Sequence, residues 1–326
     1  MNDEQAASSK PPFDPVAELF PLALGAGAGL LLRLVFNGEP GEPYSAMMLT
    51  FIFLAPVLVG IVTVFSAQLV RRRTFAYSFW VPSLANLLYV VASVFLQVEG
   101  WICAILYLPV AVVVGGLGGL LMFAISGTTK QDRNTLYGFA ALPLVLGALE
   151  AQVPLPERIG TLERSILIDA PPAEVWKHLM DADHIQPAEV DRAWMYRIGV
   201  PTPLAGVTHA TDDGLAREIT MGKGIHFQQV SSDWQPQRYV HWQYRFTADS
   251  VPAGALDDHV RIGGHYFDLK GTTYTLTPRG DATELAIRMQ YRVSTQFNWY
   301  AEPIAELLIG NFEEVILDFY RQRSEA

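Results

Sequence analysis

The sequence predicts an α-helical transmembrane bundle followed by an α+β domain whose antiparallel strands lead into one long C-terminal helix. Three observations carry this. Charge is sparse in the first half: residues 1–156 hold 7 Lys/Arg and 9 Asp/Glu, against 16 and 24 in residues 157–326. The first half contains apolar runs of bilayer length, and half of the whole chain is hydrophobic (50%). The second half alternates apolar and polar residues in short runs bounded by turns, then switches to a repeat of three and four. A boundary near Pro154–Glu157 ("PLPE") divides a membrane domain at 16–155, preceded by an N-terminal tail at 1–15, from a second domain at 157–326.

A helix needs about 20 mostly apolar residues to cross a bilayer. Ala46–Val70, Phe75–Leu96 and Trp101–Ile125 meet this without one Asp, Glu, Lys or Arg. Phe20–Phe36 is a weaker span because it contains Arg33, which reads as snorkelling to the interface. The predicted helices are about 17–36, 46–70, 75–98, 101–126 and 136–153. The start of the chain lacks the basic region and cleavage site of a signal peptide, so the first span is expected to be retained. The glycines of "GAGAG" (Gly25–Gly29) and "GGLGG" (Gly115–Gly119) suit close helix packing. Ionisable groups are almost absent from the spans, which favours an anchor over a transport path.

Positive charge sets the orientation. "RRR" (Arg71–Arg73) follows the second span, and Lys130 and Arg133 follow the fourth; the loops after the first and third carry only Glu39, Glu42 and Glu99. The N-terminus is therefore expected in the cytoplasm. Leu136–Val153 leaves two readings open, being short and containing Pro143 and Glu150. As a fifth span it sends the second domain outside; as an interfacial or re-entrant helix it leaves that domain in the cytoplasm.

In the second domain, "RSILIDA" (Arg164–Ala170) alternates like a half-buried strand, and "APPAEVWKHLM" then opens a helix. Proline is tolerated in a first helical turn, and Glu174 suits the positive end of the helix dipole. Strand-like runs follow: "AWMYRIG", "GVTHAT", "LAREITM", "IHFQQVS", "RYVHWQYRF", "HYFDLKGTTYTLTP" and "ATELAIRMQYRVST". Their short turns imply an antiparallel meander of six or seven strands. The last helix is expected over about Ala301–Arg323, with Ile304, Leu307, Leu308, Phe312, Val315, Ile316 and Phe319 on one stripe and Asn298 as its N-cap.

This order, with "IDAPPAEVW" (Ile168–Trp176) as its most specific piece, resembles the START-like, or SRPBCC, superfamily over about residues 160–324. That group includes polyketide cyclases and lipid-transfer domains. The run "DDHVRIGGHYFDLKGTTYTLTP…YRVSTQFNWYA" looks like uncharacterised bacterial membrane proteins that end in such a domain. The resemblance implies a helix-grip fold, an antiparallel sheet wrapped round the long C-terminal helix with a ligand cavity between them. It also implies a bacterial inner (cytoplasmic) membrane.

Candidate residues follow strand parity. Val240, Trp242, Tyr244 and Phe246 share one face of their strand; Leu285, Ile287, Met289, Tyr291 and Val293 share another. Tyr266, Asp268, Tyr274 and Leu276 share a third if that strand stays regular through Gly271. Aromatic residues mixed with aliphatics suit a pocket and equally an ordinary core. The ligand cavity is assigned to Tyr196, Trp242, Tyr244, Tyr266, Tyr274, Tyr291, Arg292, Asn298, Trp299, Leu308 and Phe312. Arg217, Arg288 and Arg292 lie in strands, where an inward arginine could hold a carboxylate or phosphate head group and an outward one would be solvated.

No motif places a catalytic constellation; Asp268, His265 and Tyr266 are the first guesses for a general acid or base. Asp257, Asp258 and His259 lie just upstream, but the spacing matches no strong ligand motif, and neither a metal nor a cofactor is assigned. The single cysteine, Cys103, reads as a small core residue and excludes an intramolecular disulfide. A net charge of −10 without a basic stripe argues against nucleic acid as a partner. The expected partners are the membrane and a hydrophobic small molecule or lipid; the sequence names no protein partner. The leading expectation is a membrane-anchored binding module. A cyclase- or hydrolase-type enzyme on a lipophilic substrate, and a protein-interaction or sensor domain at the membrane, are the alternatives.

Overall fold

The computed structural model describes residues 15–128 and 133–326. The expected tail up to residue 14, and Lys130, lie outside them. The chain divides into two compact units: Met1–Asn37, Thr50–Val98 and Tyr107–Glu150 form one, and Gly38–Leu49, Glu99–Leu106 and Ala151–Ala326 form the other.

The first unit is helical: α1 (Pro15–Val35), α2 (Ala55–Val70), α3 (Phe75–Phe95), the body of α4 (Trp101–Thr128) and α5 (Arg133–Glu150). Among the described residues, four helices are long and apolar enough to cross a membrane, within α1, through Thr50–Val70, in α3 and in α4. The second begins later than the run from Ala46 suggests, through a π-helical turn at Thr50–Leu54. Thr74 caps α3, its hydroxyl accepting from the Tyr77 N–H at 3.2 Å. Small residues let backbones meet: a Cβ at Gly60 would overlap the Gly115 carbonyl, and one at Gly118 the Val57 carbonyl.

One expectation changes here. Arg33 does not snorkel to solvent; it is 4% exposed and donates to the carbonyls of Phe36 (2.9 Å) and Val98 (2.6 Å). Its cation thus satisfies carbonyls at a helix end, where intrahelical partners run out. In the "RRR" loop, Arg71 and Arg73 both pair with Glu18 of α1.

The second unit carries an eight-stranded antiparallel sheet in the order β1-β8-β7-β6-β5-β4-β3-β2. The strands are β1 (Glu157–Ile168), β2 (Asp181–Ala182), β3 (Pro203–Thr211), β4 (Gly214–Met221), β5 (His226–Gln235), β6 (Tyr239–Arg245), β7 (Phe267–Arg279) and β8 (Ala282–Ser294). Between β1 and β3 run α6 (Pro172–Met180) and the single turns α7 (Pro187–Val190) and α8 (Trp194–Arg197). The sheet curls round α9 (Asn298–Ser324), which at 27 residues is about 40 Å long. The core joins Ile168, Val175 and Leu179 to the inner residues of β6–β8 and to Ile309, Ile316, Phe319 and Tyr320 of α9.

Four local expectations are corrected. "AWMYRIG" is a helical turn, because its alternation spans too few residues to define a strand and Tyr196 packs on α9 instead. There Tyr196 meets Phe312 edge-on at 6.4 Å, and the Trp194 N–H donates to Asn311. Asn298 does not cap α9; it is the first helical residue, and its side chain accepts from the N–H and hydroxyl of Thr295. Leu307 is 53% exposed, while Ile309 and Glu313 are buried in its stead.

The parity of β7 breaks. Leu269 pairs with Tyr291 but Gly271 with Gln290, so Lys270 is an extra residue, a bulge. Beyond it Thr272, Tyr274 and Leu276 oppose the inner residues Met289, Ile287 and Leu285; before it the inner residues are Phe267 and Leu269. Asp268 therefore falls on the opposite face from Tyr274.

Candidate functional site

Register builds the site. Thr208 of β3 lies opposite Arg217 of β4, Arg217 opposite Gln229 of β5, and Gln229 opposite Tyr244 of β6. Directly opposed residues share a face with Cβ atoms about 5 Å apart. These four thus form one polar row straight across the sheet. The Tyr244 hydroxyl continues it to Thr272 of β7 at 2.6 Å.

Arg217 is the charged member. It is 4% exposed and its Nη2 donates to the Tyr320 hydroxyl of α9 at 3.0 Å. Its Nε has no hydrogen-bond partner, and no ion pair to it exists among the described residues. Gln229 Oε1, Thr208 Oγ1 and the Trp242 indole N–H are likewise buried without a partner. Gly206 makes room for the guanidinium: a Cβ there would lie 2.8 Å from Nε and Nη2. A guanidinium stays protonated at any physiological pH, and burying it unpaired costs several kcal/mol. Hydroxyls surround it. Tyr274 stacks edge-on with Tyr320 at 5.8 Å. Burial pushes the phenols of Tyr196, Tyr244 and Tyr274 up, so they serve as neutral donors.

A second polar group lies on the inner face of α9. Glu313 is fully buried, and neither carboxylate oxygen has a hydrogen-bond partner. Burial pushes its carboxyl up to about 7, against a smaller opposing pull from Arg164 of β1. About two turns away, Glu306 accepts from the Tyr291 hydroxyl at 3.2 Å. The Tyr291 ring lies over Gly160, where any Cβ would collide with it.

The structure thus brings Tyr196, Trp242, Tyr274, Tyr291 and Phe312 into or against the common core, with Leu308 partly buried on α9, while Tyr244 packs on a separate cluster around Ile225 and Phe227. It places the remainder elsewhere. Tyr266 is buried outside the row, bonded to the Ser45 hydroxyl at 2.6 Å, with His265 packed on its ring. Asp268 accepts from the Gly263 N–H and pairs with Lys270. Arg292 donates to the carbonyls of Gly264 and His265. Trp299 is 66% exposed. Arg288 faces Glu163 at the surface, whereas Arg217 turns inward. Gln229, Thr208, Thr272, Tyr320 and Glu313 escaped the sequence reading. For Glu313 a signal existed: positions 309, 313, 316 and 320 form one helical stripe, and a lone acid within it is anomalous.

Residues 160–319 match the family described as polyketide cyclase / dehydrase and lipid transport. No match was found among curated proteins. Among solved structures, the chain is similar to the Zhui aromatase/cyclase from Streptomyces sp. R1128, at 12% identity and a TM-score of 0.35, covering 52% of this chain and 94% of that one. It is also similar to a START superfamily protein from Mycobacterium smegmatis, at 12% identity and a TM-score of 0.34, covering 51% of this chain and 97% of that one. Residues 160–319 are accordingly a polyketide cyclase / dehydrase and lipid transport domain of the SRPBCC type, preceded in this chain by four long apolar helices.

Proposed function

We propose that this protein is a membrane-anchored binding module, whose second unit takes up a hydrophobic molecule with an acidic head group between the sheet and α9. The single observation behind it is the row Thr208–Arg217–Gln229–Tyr244, with a buried, unpaired cation at its centre. A carboxylate or phosphate would pair with Arg217 in two parallel hydrogen bonds, and an apolar body would suit the surrounding aromatic and aliphatic side chains. The test is mass spectrometry of organic extracts from the full-length protein in mild detergent, beside Arg217→Gln. An acidic amphiphile retained by the first and lost from the second supports the proposal. Identical extracts overturn it.

One observation favours a second reading, an enzyme acting on the same ligand. Glu313 is a buried carboxyl whose pKa is close to neutrality, a property suited to general acid–base work. Turnover lost in Glu313→Gln with ligand retention intact would move the assignment to catalysis.

The same proposal covers topology. The second unit gathers Gly38–Leu49, Glu99–Leu106 and Ala151–Ala326. A water-facing unit holds its segments on one side of the membrane, and two helices, α4 and α5, separate the second segment from the third. We infer that α5 crosses as well. α5 has 18 residues, of which Leu136–Glu150 are its apolar part, shorter than the four long helices.

A further inference from the structure

A second site lies apart from the sheet interior, within the second unit. Glu99 lies two residues before α4, and Cys103 is in the first turn of that helix. Asp257 and His259 come from the turn before Phe267. Glu99, Cys103, Asp257 and His259 each present one donor atom, and all four donors lie within 4.8 Å of one another.

The geometry narrows the chemistry. Cys103 Sγ is 3.6 Å from His259 Nδ1, and Glu99 Oε1 is 3.7 Å from the same nitrogen. Asp257 Oδ1 is 2.9 Å from it. A nucleophile–base–acid relay would need the two imidazole nitrogens to serve different partners. Here thiol and both carboxylates converge on one nitrogen, which is the pattern of ligands round a common centre. Tetrahedral zinc, with bonds of about 2.3 Å to sulfur and about 2.0 Å to nitrogen and oxygen, sets ligand edges of about 3.3–3.6 Å. The observed separations bracket those edges.

A second observation points the same way. The Asp257 side chain is 6% exposed, and its Oδ1 accepts from the His259 N–H as the cap of its own turn. Its Oδ2 is buried without a hydrogen-bond partner. Gly100 leaves the space that this oxygen occupies: a Cβ there would overlap it.

We propose that Glu99, Cys103, Asp257 and His259 form a closed, structural site for a divalent cation of the zinc class, tying the 257–260 turn to the Glu99–Leu106 segment. Sulfur and imidazole select zinc or cobalt over magnesium and calcium, which take oxygen donors. Four protein ligands leave no open position for a reacting water. Binding displaces the Cys103 thiol proton, so affinity rises with pH. The site is independent of the ligand reading above.

Cys103 is the chain's single cysteine, so any thiolate-to-metal signal comes from this site alone. The full-length protein in detergent is stripped with a chelator and titrated with Co2+ and Zn2+. The expected results are one equivalent bound, a near-ultraviolet thiolate-to-cobalt charge-transfer band, and protection of Cys103 from alkylation by Zn2+. Cys103→Ser should abolish the band, and His259→Gln should weaken binding by at least about tenfold. Absence of the band, or alkylation at an unchanged rate in saturating Zn2+, overturns the proposal. The alkylation result needs no variant and decides the matter even if a substituted chain fails to fold.

Discussion

The buried Glu313 carboxyl makes stability depend on pH in a calculable way. Its folded pKa is raised from 4.5 to about 7 by burial. Between those values the folded chain binds more protons than the unfolded chain, so stability falls as pH rises through the window. Below pH 4.5 both states are protonated and Glu313 costs nothing. Above pH 7 both are ionised and the full penalty stands, about 3 kcal/mol. Glu313→Gln keeps the shape and removes the charge. Its gain should therefore be about 3 kcal/mol at pH 8 and under about 1 kcal/mol at pH 5. For a domain of this size, about 2–4 °C per kcal/mol gives a melting-point rise of about 6–12 °C at pH 8. Differential scanning fluorimetry of the full-length protein in detergent, run at both pH values, reads this directly. An equal difference at the two pH values would refute the reasoning, as would a variant less stable than the parent at pH 8.

Arg217 should show a trade-off. Arg217→Met, replacing an unpaired buried cation by an apolar side chain of similar length, is expected to leave thermal stability unchanged or raise it by about 1–4 kcal/mol while abolishing ligand retention. Gly206→Val should crowd the guanidinium and cost about 1–3 kcal/mol, measured as a lower denaturation midpoint at unchanged slope. Trp242→Ala, at a fully buried position, should cost about 3–5 kcal/mol in the same assay. For topology, single cysteines introduced at Glu42 and Glu325 should react alike with an impermeant maleimide in intact cells, and one at Arg72 oppositely; labelling of Glu325 with Arg72 would mean that α5 does not cross.

The fold was largely legible because its signals are collective. Three charge-free runs, seven alternating strands and a helical stripe each sum many residues, and no single position decides them. The failures were local. The β7 bulge inserts one residue, Lys270, and reverses the parity of everything before it, yet nothing in "FDLKGTTY" marks the extra residue except a glycine. Extending parity from Tyr274 back to Asp268 and Tyr266 therefore put those two on the wrong face. "AWMYRIG" failed for a related reason: alternation over seven residues is also compatible with a single turn of helix, Trp194–Arg197, once a neighbouring helix offers a surface.

The candidate site was less legible, for a different physical reason. A strand pattern assigns residues to faces by polarity, so an inward arginine is read outward. Arg217 and Arg288 look alike in sequence, and only the register of Thr208, Gln229 and Tyr244 separates the buried one from the solvated one. The grouping of Glu99 and Cys103 with Asp257 and His259 was not legible for a further reason. Glu99 and Cys103 lie more than 150 residues from Asp257, and ligand motifs are recognised by short spacing. In both cases the informative residue breaks the local pattern that encodes the fold. An acid in the α9 stripe and a cation in the sheet's inner row are tolerated only where the surrounding packing is strong enough to hold them. Function is therefore expected at those violations and not among the aromatics that obey the pattern.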